Sequence, residues 1–398
     1  MGRSKIIIIG GGPAGLMASN MLCEHHDVSI YDKEKNIGQK LLVAGKGGFN
    51  LTNSAQGIEL IGKYLPSGFM NNALSHFDTF ALRQWLSNLN IPTFVGSSGR
   101  VFPEKGIRPI DVLNKIKQHL IKNEVSIYTQ HEFVGFDNNK HVTFTNNGED
   151  VNSDADFVIF ALGGASWSIT GSNGSWRDTF DAMDIVTAPF QSSNCGINIC
   201  WPDAIKQHHA GKPLKNIKLF TDDFEICGEA VITEYGMEGN AVYPLIHSIR
   251  NKINLNKSAN IYIDFKPSNT EQELLSKTID QDVKTKDYGC ILNLTAAQLA
   301  IIKAYTSRDV YMSVTAFTKN IKKLEIHVDS LRPIEEAISS VGGIVTEELN
   351  DDFSLKKYPW IYTIGEMVDW DAPTGGFLLQ GCFSMGHYAA ESILKRTK

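Results

Sequence analysis

The apolar positions of this chain fall into runs at its two ends and into alternating or helical patterns in the middle. Residues 5–10 read KIIIIG, an apolar strand stopped by glycine. GGPAGLMASNML follows, with helical spacing after the proline, and then a second strand, VSIYD, ends on Asp32. DFVIFALGG (156–164) is a further apolar strand, stopped by two glycines. Beyond it the pattern shortens into NCGINIC, IKLFTD and NIYIDFK (260–266), which predict a β-rich module with frequent turns. EQELLSKTI and TAAQLAIIKAYT, within 270–307, predict helices. AISSVGGI and YPWIYTIGE return to buried strands. From Gly375 onward Phe377, Leu378, Cys382, Met385, Ala389 and Ile393 recur at helical spacing. HEFVGF and HVTFT, flanking Asn138 and Asn139, predict a hairpin. The expected class is α/β. A first domain spans 1–190 and is completed by 341–398, and a β-rich plus helical insert spans 191–340.

The opening strand–glycine–helix–strand unit predicts a dinucleotide site. Gly10 turns the chain out of the strand, Gly12 lets backbone N–H groups approach a diphosphate, and Gly15 lets the helix pack closely on the sheet. Pro13 and Ala14 open a helix whose N-terminus favours an anion. Asp32, followed by Lys33, stands at the strand tip where an acid bonds ribose hydroxyls.

That unit does not separate FAD from NAD; the far end of the chain does. YPWIYTIGE ends in Gly365-Glu366, placing an acid where two-dinucleotide flavoproteins bond the ribitol of FAD. Asp369 follows, and Gly375, Gly376 and Phe377 open the last helix, with Thr374 as its expected cap. A Rossmann start near residue 10, paired with this ending, suits one extended FAD bridging both ends of the sequence.

Arg3 and Lys5 before an apolar stretch imitate a secretory signal. Three glycines and a proline interrupt the apolar helix that such a signal needs, so a soluble cytoplasmic protein is expected. The formal charge of −6 argues against a broad basic surface for nucleic acid, and no membrane span is expected. Cys195 and Cys200 have the spacing of a redox pair, but a strand through CGINIC would point their sulfurs to opposite faces. His208-His209 lacks the further ligands of a metal site, so no metal is expected.

GQKLLVAGKGGFNLTN (38–53), GRVFPEKGIRP (99–109), FVIFALGGASWSITGSNGSW (157–176), ITEYGMEGNAVYPL (232–245), AISSVGGI (337–344) and GEMVDWDAPTGGFLLQGCF (365–383) occur in order. Together they resemble the signature blocks of the BaiN-type, aminoacetone-oxidase-like bacterial flavoproteins. Gly48, Phe49 and Asn50 stand where the larger branch of that family has Arg-Cys-Asn. The resemblance implies a Rossmann-like FAD-binding domain of the two-dinucleotide-binding type, interrupted by the insert, with a small-molecule substrate in the cleft between the two. It implies FAD as cofactor and NAD(P)H as a transient donor, since a second GxGxxG is lacking. Gly45 and Gly47 would approach the cofactor, Lys40 and Lys46 would offset phosphate charge, the backbone near Phe133 would meet adenine, and Ala161 and Gly163 would border the site. Trp167 and Trp176 are weaker candidates for substrate contact.

Flavin chemistry needs no side-chain nucleophile. His247 and Tyr243, in the insert block with Glu234, Tyr235 and Glu238, are candidate acid–base groups, and Arg100 a candidate anion binder. An oxidase, a monooxygenase, an RNA-directed flavoprotein and a non-catalytic redox sensor stay open as alternatives, and the sequence leaves oligomeric state undetermined.

Overall fold

A computed structural model describes residues 2–43, 48–137, 141–279 and 284–398. The chain divides into two compact units, one formed by Met1–Gln191 with Ser339–Lys398 and the other by Ser192–Ile338.

The first unit is built on a five-stranded sheet in the order Ile361–Thr363, Phe157–Phe160, Lys5–Ile9, Asp27–Asp32, Ser126–Thr129, with every pair parallel. Ile6 to Ile9 are all buried, because a central parallel strand is covered on both faces and has no solvent side on which to place a polar residue. The edge strand Ile361–Thr363 comes from the far end of the chain and pairs Ile361 with Val158. The last helix, Phe377–Arg396, crosses the first, Pro13–Leu22. Contact is close enough that a Cβ on Gly386 would lie 2.3 Å from the Ala14 carbonyl oxygen.

Among the described residues, two three-stranded antiparallel sheets decorate this unit. Glu132–Phe136, Val142–Asn146 and Glu149–Ser153 form one. Its first two strands are those of the expected hairpin, whose turn at Asn138 and Asn139 lies outside the described residues. Thr52–Asn53, Arg100–Pro103 and Thr93–Val95 form the other, pairing Asn53 with Arg100.

The second unit holds a seven-stranded sheet in the order Leu324–Val328, Ala259–Asp264, Pro213–Phe220, Glu225–Ile232, Gly236–Glu238, Ile197–Asn198, Ser330–Leu331. Leu324, Ile326 and Val328 are buried while Glu325 and His327 are exposed, the alternation of a sheet packed on one face only. Helices Ile246–Asn256, Glu271–Ile279, Ala296–Ala304 and Val314–Asn320 belong to the same unit.

The expected strand NCGINIC contracts to Ile197–Asn198, paired with Gly236–Met237 on one side and Ser330–Leu331 on the other. Gly236 approaches so closely that a Cβ there would lie 2.0 Å from the Ile197 oxygen. Cys195 and Cys200 therefore lie beyond the strand ends. Cys195 is buried and Cys200 exposed, and burial rather than strand alternation distinguishes them.

Candidate functional site

Within the first unit a cavity of about 390 Å³ opens at the carboxyl ends of the parallel strands. This is where open α/β sheets bind ligands. Gly10 leaves its strand at φ +105, a left-handed conformation that favours glycine, and a Cβ there would lie 2.3 Å from the Ala161 oxygen. The Gly11 N–H donates to Asp32 Oδ2 at 2.8 Å, and the Glu34 N–H donates to Asp32 Oδ1 at 2.9 Å. Burial is the main influence on the Asp32 carboxyl and pushes its pKa up, against the pull of these two donors.

Gly12 is the N-cap of the first helix, Pro13 opens it, and its first turn carries no acidic residue. Among the described residues, no heavy atom beyond Gly12 and its chain neighbours lies within 4 Å of a Cβ built on Gly12. A dipole-aligned helix start, no acid in the first turn and open space beside the capping glycine together fit the diphosphate of a dinucleotide. Gly15 faces inward instead, where a Cβ would lie 2.1 Å from the Gly10 oxygen.

The cavity brings together Gly10, Gly12, Pro13, Ala14, Asp32, Lys33, Lys40, Phe133, Ala161, Gly163, Gly365 and Glu366. Lys40 Nζ bonds Glu366 Oε2 at 2.5 Å and Ser166 Oγ at 3.1 Å. Lys33 Nζ donates to Asn173 Oδ1 at 3.2 Å, and the Trp176 indole N–H donates to the Gly163 carbonyl at 3.0 Å. Sequence reasoning missed Tyr31, His131 and the stretch Thr170–Gly171–Ser172, all of which line the same space. The glycine and serine density of SITGSNGS was the available signal for that stretch.

Other candidates lie apart from this lining. Gly45 and Gly47 are outside the described residues. The Asp369 carboxylate accepts the Gly342 N–H at 2.9 Å, and Asp369 is not among the residues that line the cavity. Gly375, Gly376 and Phe377 sit at the small sheet. Asn53 Nδ2 donates to the Gly375 oxygen at 3.0 Å, and the Tyr64 hydroxyl donates to the Phe377 oxygen at 2.7 Å. The cap of the last helix is Gly376 at φ +99, not Thr374, because the chain enters the helix in a left-handed turn pressed against Thr52. Arg100 belongs to this second cluster, its Nε 3.6 Å from where a Gly375 Cβ would stand.

His247 and Tyr243 lie in the second unit. The two ring nitrogens of His247 meet Arg250 at 3.2 Å and Asn251 at 3.1 Å, both on its own helix. Burial pushes the Tyr243 phenol up. In the same unit the Tyr235 hydroxyl donates to Glu238, and the Arg332 guanidinium lies 4.1 Å from the Tyr235 ring centre.

A dinucleotide fold of this kind, with the glycine turn at one end of the sequence and Gly-Glu at the other, defines a Rossmann-type FAD flavoprotein of the oxidoreductase class. More particularly, the family model described as HI0933-like protein Rossmann domain matches residues 4–392, and the chain belongs to that family.

Among its relatives is the 3-dehydro-bile acid delta(4,6)-reductase of Clostridium scindens. It is 23% identical over 416 residues, covering 99% of this chain and all of that protein. The ribosomal RNA dihydrouridine synthase of Haemophilus influenzae is 22% identical over 417 residues, covering 99% of both. The fold is shared with the 3-ketosteroid-delta4-(5alpha)-dehydrogenase of Rhodococcus jostii RHA1, at a TM-score of 0.51, 12% identity and coverage of 98% of this chain and 96% of that one. It is shared equally with the 3-ketosteroid delta1-dehydrogenase of Sterolibacterium denitrificans, at a TM-score of 0.51, 11% identity and full coverage of both chains.

Proposed function

We propose that this flavoprotein transfers a hydride between NAD(P)H and a small organic substrate, and that the substrate is a carbon–carbon double bond conjugated to a carbonyl. The observation that supports the cofactor half is the convergence of the Gly12 helix opening and Asp32 with Glu366, hundreds of residues further along the chain, on one cavity. Asp32 is positioned by two backbone donors to accept from ribose hydroxyls, and Glu366 offers a second acceptor for the polyol that follows. When bound, FAD supplies the hydride chemistry, and the protein supplies position and electrostatics. The names of the two relatives support the substrate class, since each denotes saturation of a double bond.

The test has two parts. Chromatography of the cofactor released on denaturation should give FAD; FMN overturns the reading. Stopped-flow mixing with NADH and NADPH should bleach the bound flavin, and a panel of enones should reoxidise it in single turnover. A uridine-containing RNA belongs in the same panel because of the second relative. Turnover with RNA and with no enone would replace the small-molecule substrate by a nucleic acid, against the net charge of −6.

A further inference from the structure

We infer that Lys40 is a positioning residue for the dinucleotide and acts through Glu366, by cancelling a carboxylate charge that would otherwise oppose the diphosphate. The inference rests on the FAD reading above. Lys40 lies on the short helix Gln39–Val43 and Glu366 on the turn Gly365–Met367. They are 326 positions apart in sequence, yet their side chains meet at 2.5 Å, with only 23% and 11% of their surfaces exposed. Both border the cavity that holds the Gly12–Pro13–Ala14 helix opening. Ser166 takes a further hydrogen bond from the ammonium and fixes its direction. The Cys382 thiol lines the same cavity and is buried. Burial, and after it the Glu366 charge, push its pKa up, so it adds no negative charge of its own.

The cavity therefore contains a nearly buried acid where a twice-negative ligand must enter. An acid in that place is useful as an acceptor for polyol hydroxyls but repels phosphate, and in a poorly hydrated site such repulsion is strong. The lysine makes the two requirements compatible. It leaves Glu366 its second oxygen for hydrogen bonding and removes its net charge from the field at the helix N-terminus. A lysine in direct contact with phosphate would bind the cofactor independently of Glu366, and the two arrangements predict different patterns in a double-mutant cycle.

The experiment titrates FAD into full-length apoproteins of wild type, Lys40→Met, Glu366→Gln and the double variant, following flavin fluorescence, with Lys40→Arg as the conservative control. Lys40→Met should weaken binding about tenfold to a hundredfold. In the Glu366→Gln background the same change should cost no more than about twofold, within the usual error of additivity. Lys40→Arg should restore most of the affinity. Equal losses in both backgrounds, or no loss from Lys40→Met alone, overturn the inference. Wild-type apoprotein that fails to bind FAD overturns the cofactor reading itself, before any variant is compared. Melting of each apoprotein separates a folding defect from a binding defect. Lys40→Gln replaces Lys40→Met if the latter does not fold.

Discussion

The carboxylate of Asp32 accepts the backbone N–H of Gly11 at 2.8 Å, so the acid at the tip of the second strand clamps the glycine turn that leaves the first. Its other oxygen holds the Glu34 N–H. Asp32→Ala is expected to act twice. Two backbone donors lose their acceptor, which should cost the apoprotein about 1–3 kcal/mol. FAD affinity should fall about tenfold to a hundredfold through loss of the ribose acceptor. Denaturant unfolding of the apoprotein and an FAD titration measure the two effects separately.

Glycines of one motif should divide into two phenotypes. Gly12→Ala meets open space at ordinary backbone angles, so the apoprotein should keep its melting temperature while FAD binding drops. Gly15→Ala places a methyl 2.1 Å from the Gly10 carbonyl oxygen and should destabilise the apoprotein by about 1–3 kcal/mol. Parallel melts of the two apoproteins check this, and similar melting temperatures would contradict it.

Native alkylation should label three of the six cysteines. Cys200, Cys227 and Cys290 are exposed, whereas Cys23, Cys195 and Cys382 are buried, and burial raises the pKa of the Cys23 and Cys382 thiols. Mass spectrometry after iodoacetamide treatment reads the pattern. Cys195→Ser and Cys200→Ser should leave flavin reduction unchanged, since neither residue lines the cavity.

Acid should weaken the packing of the last helix through His387, whose ring stacks on Phe77 at 4.5 Å between centres. Burial first, and His76 with it, lowers the pKa of this histidine, against the opposite pull of Glu391. The folded state therefore prefers the neutral ring. Its contribution is complete above the ordinary value of 6.5 and is lost as pH falls through the lowered one. His387→Gln should cost stability at pH 7.5 and progressively less below pH 6.5, as measured by unfolding of both proteins across that range.

Features written in adjacent residues were legible in the sequence. The turn Gly10–Gly12 and the acid at Asp32 are local, and so is the alternation that separates the second unit from the first. Lys40 reads in the sequence as a counter-ion for phosphate, and nothing in a linear chain shows that Glu366 stands beside it. Gly376 reads in the sequence as an opener of the last helix. The structure gives it a prior duty at φ +99 against the Thr52 backbone, where a Cβ would lie 2.3 Å from the carbonyl, a constraint that neither neighbour reveals. The contraction of NCGINIC to two paired residues has the same origin, for strand length is set by partners elsewhere in the chain.

The edge strand Ile361–Thr363 carries a consequence for how the protein is made. A nascent chain that has emerged from the ribosome as far as Ile338 contains the whole of the second unit, but its first unit lacks one parallel strand and the helix that covers Pro13–Leu22. Until Ser339–Lys398 arrive, Phe157–Phe160 presents an open, apolar edge of the kind that recruits chaperones or pairs with another chain. Glu366, which borders the cavity with Gly12 and Asp32, is absent from that nascent chain, so on the proposed reading cofactor loading belongs after Glu366 has emerged.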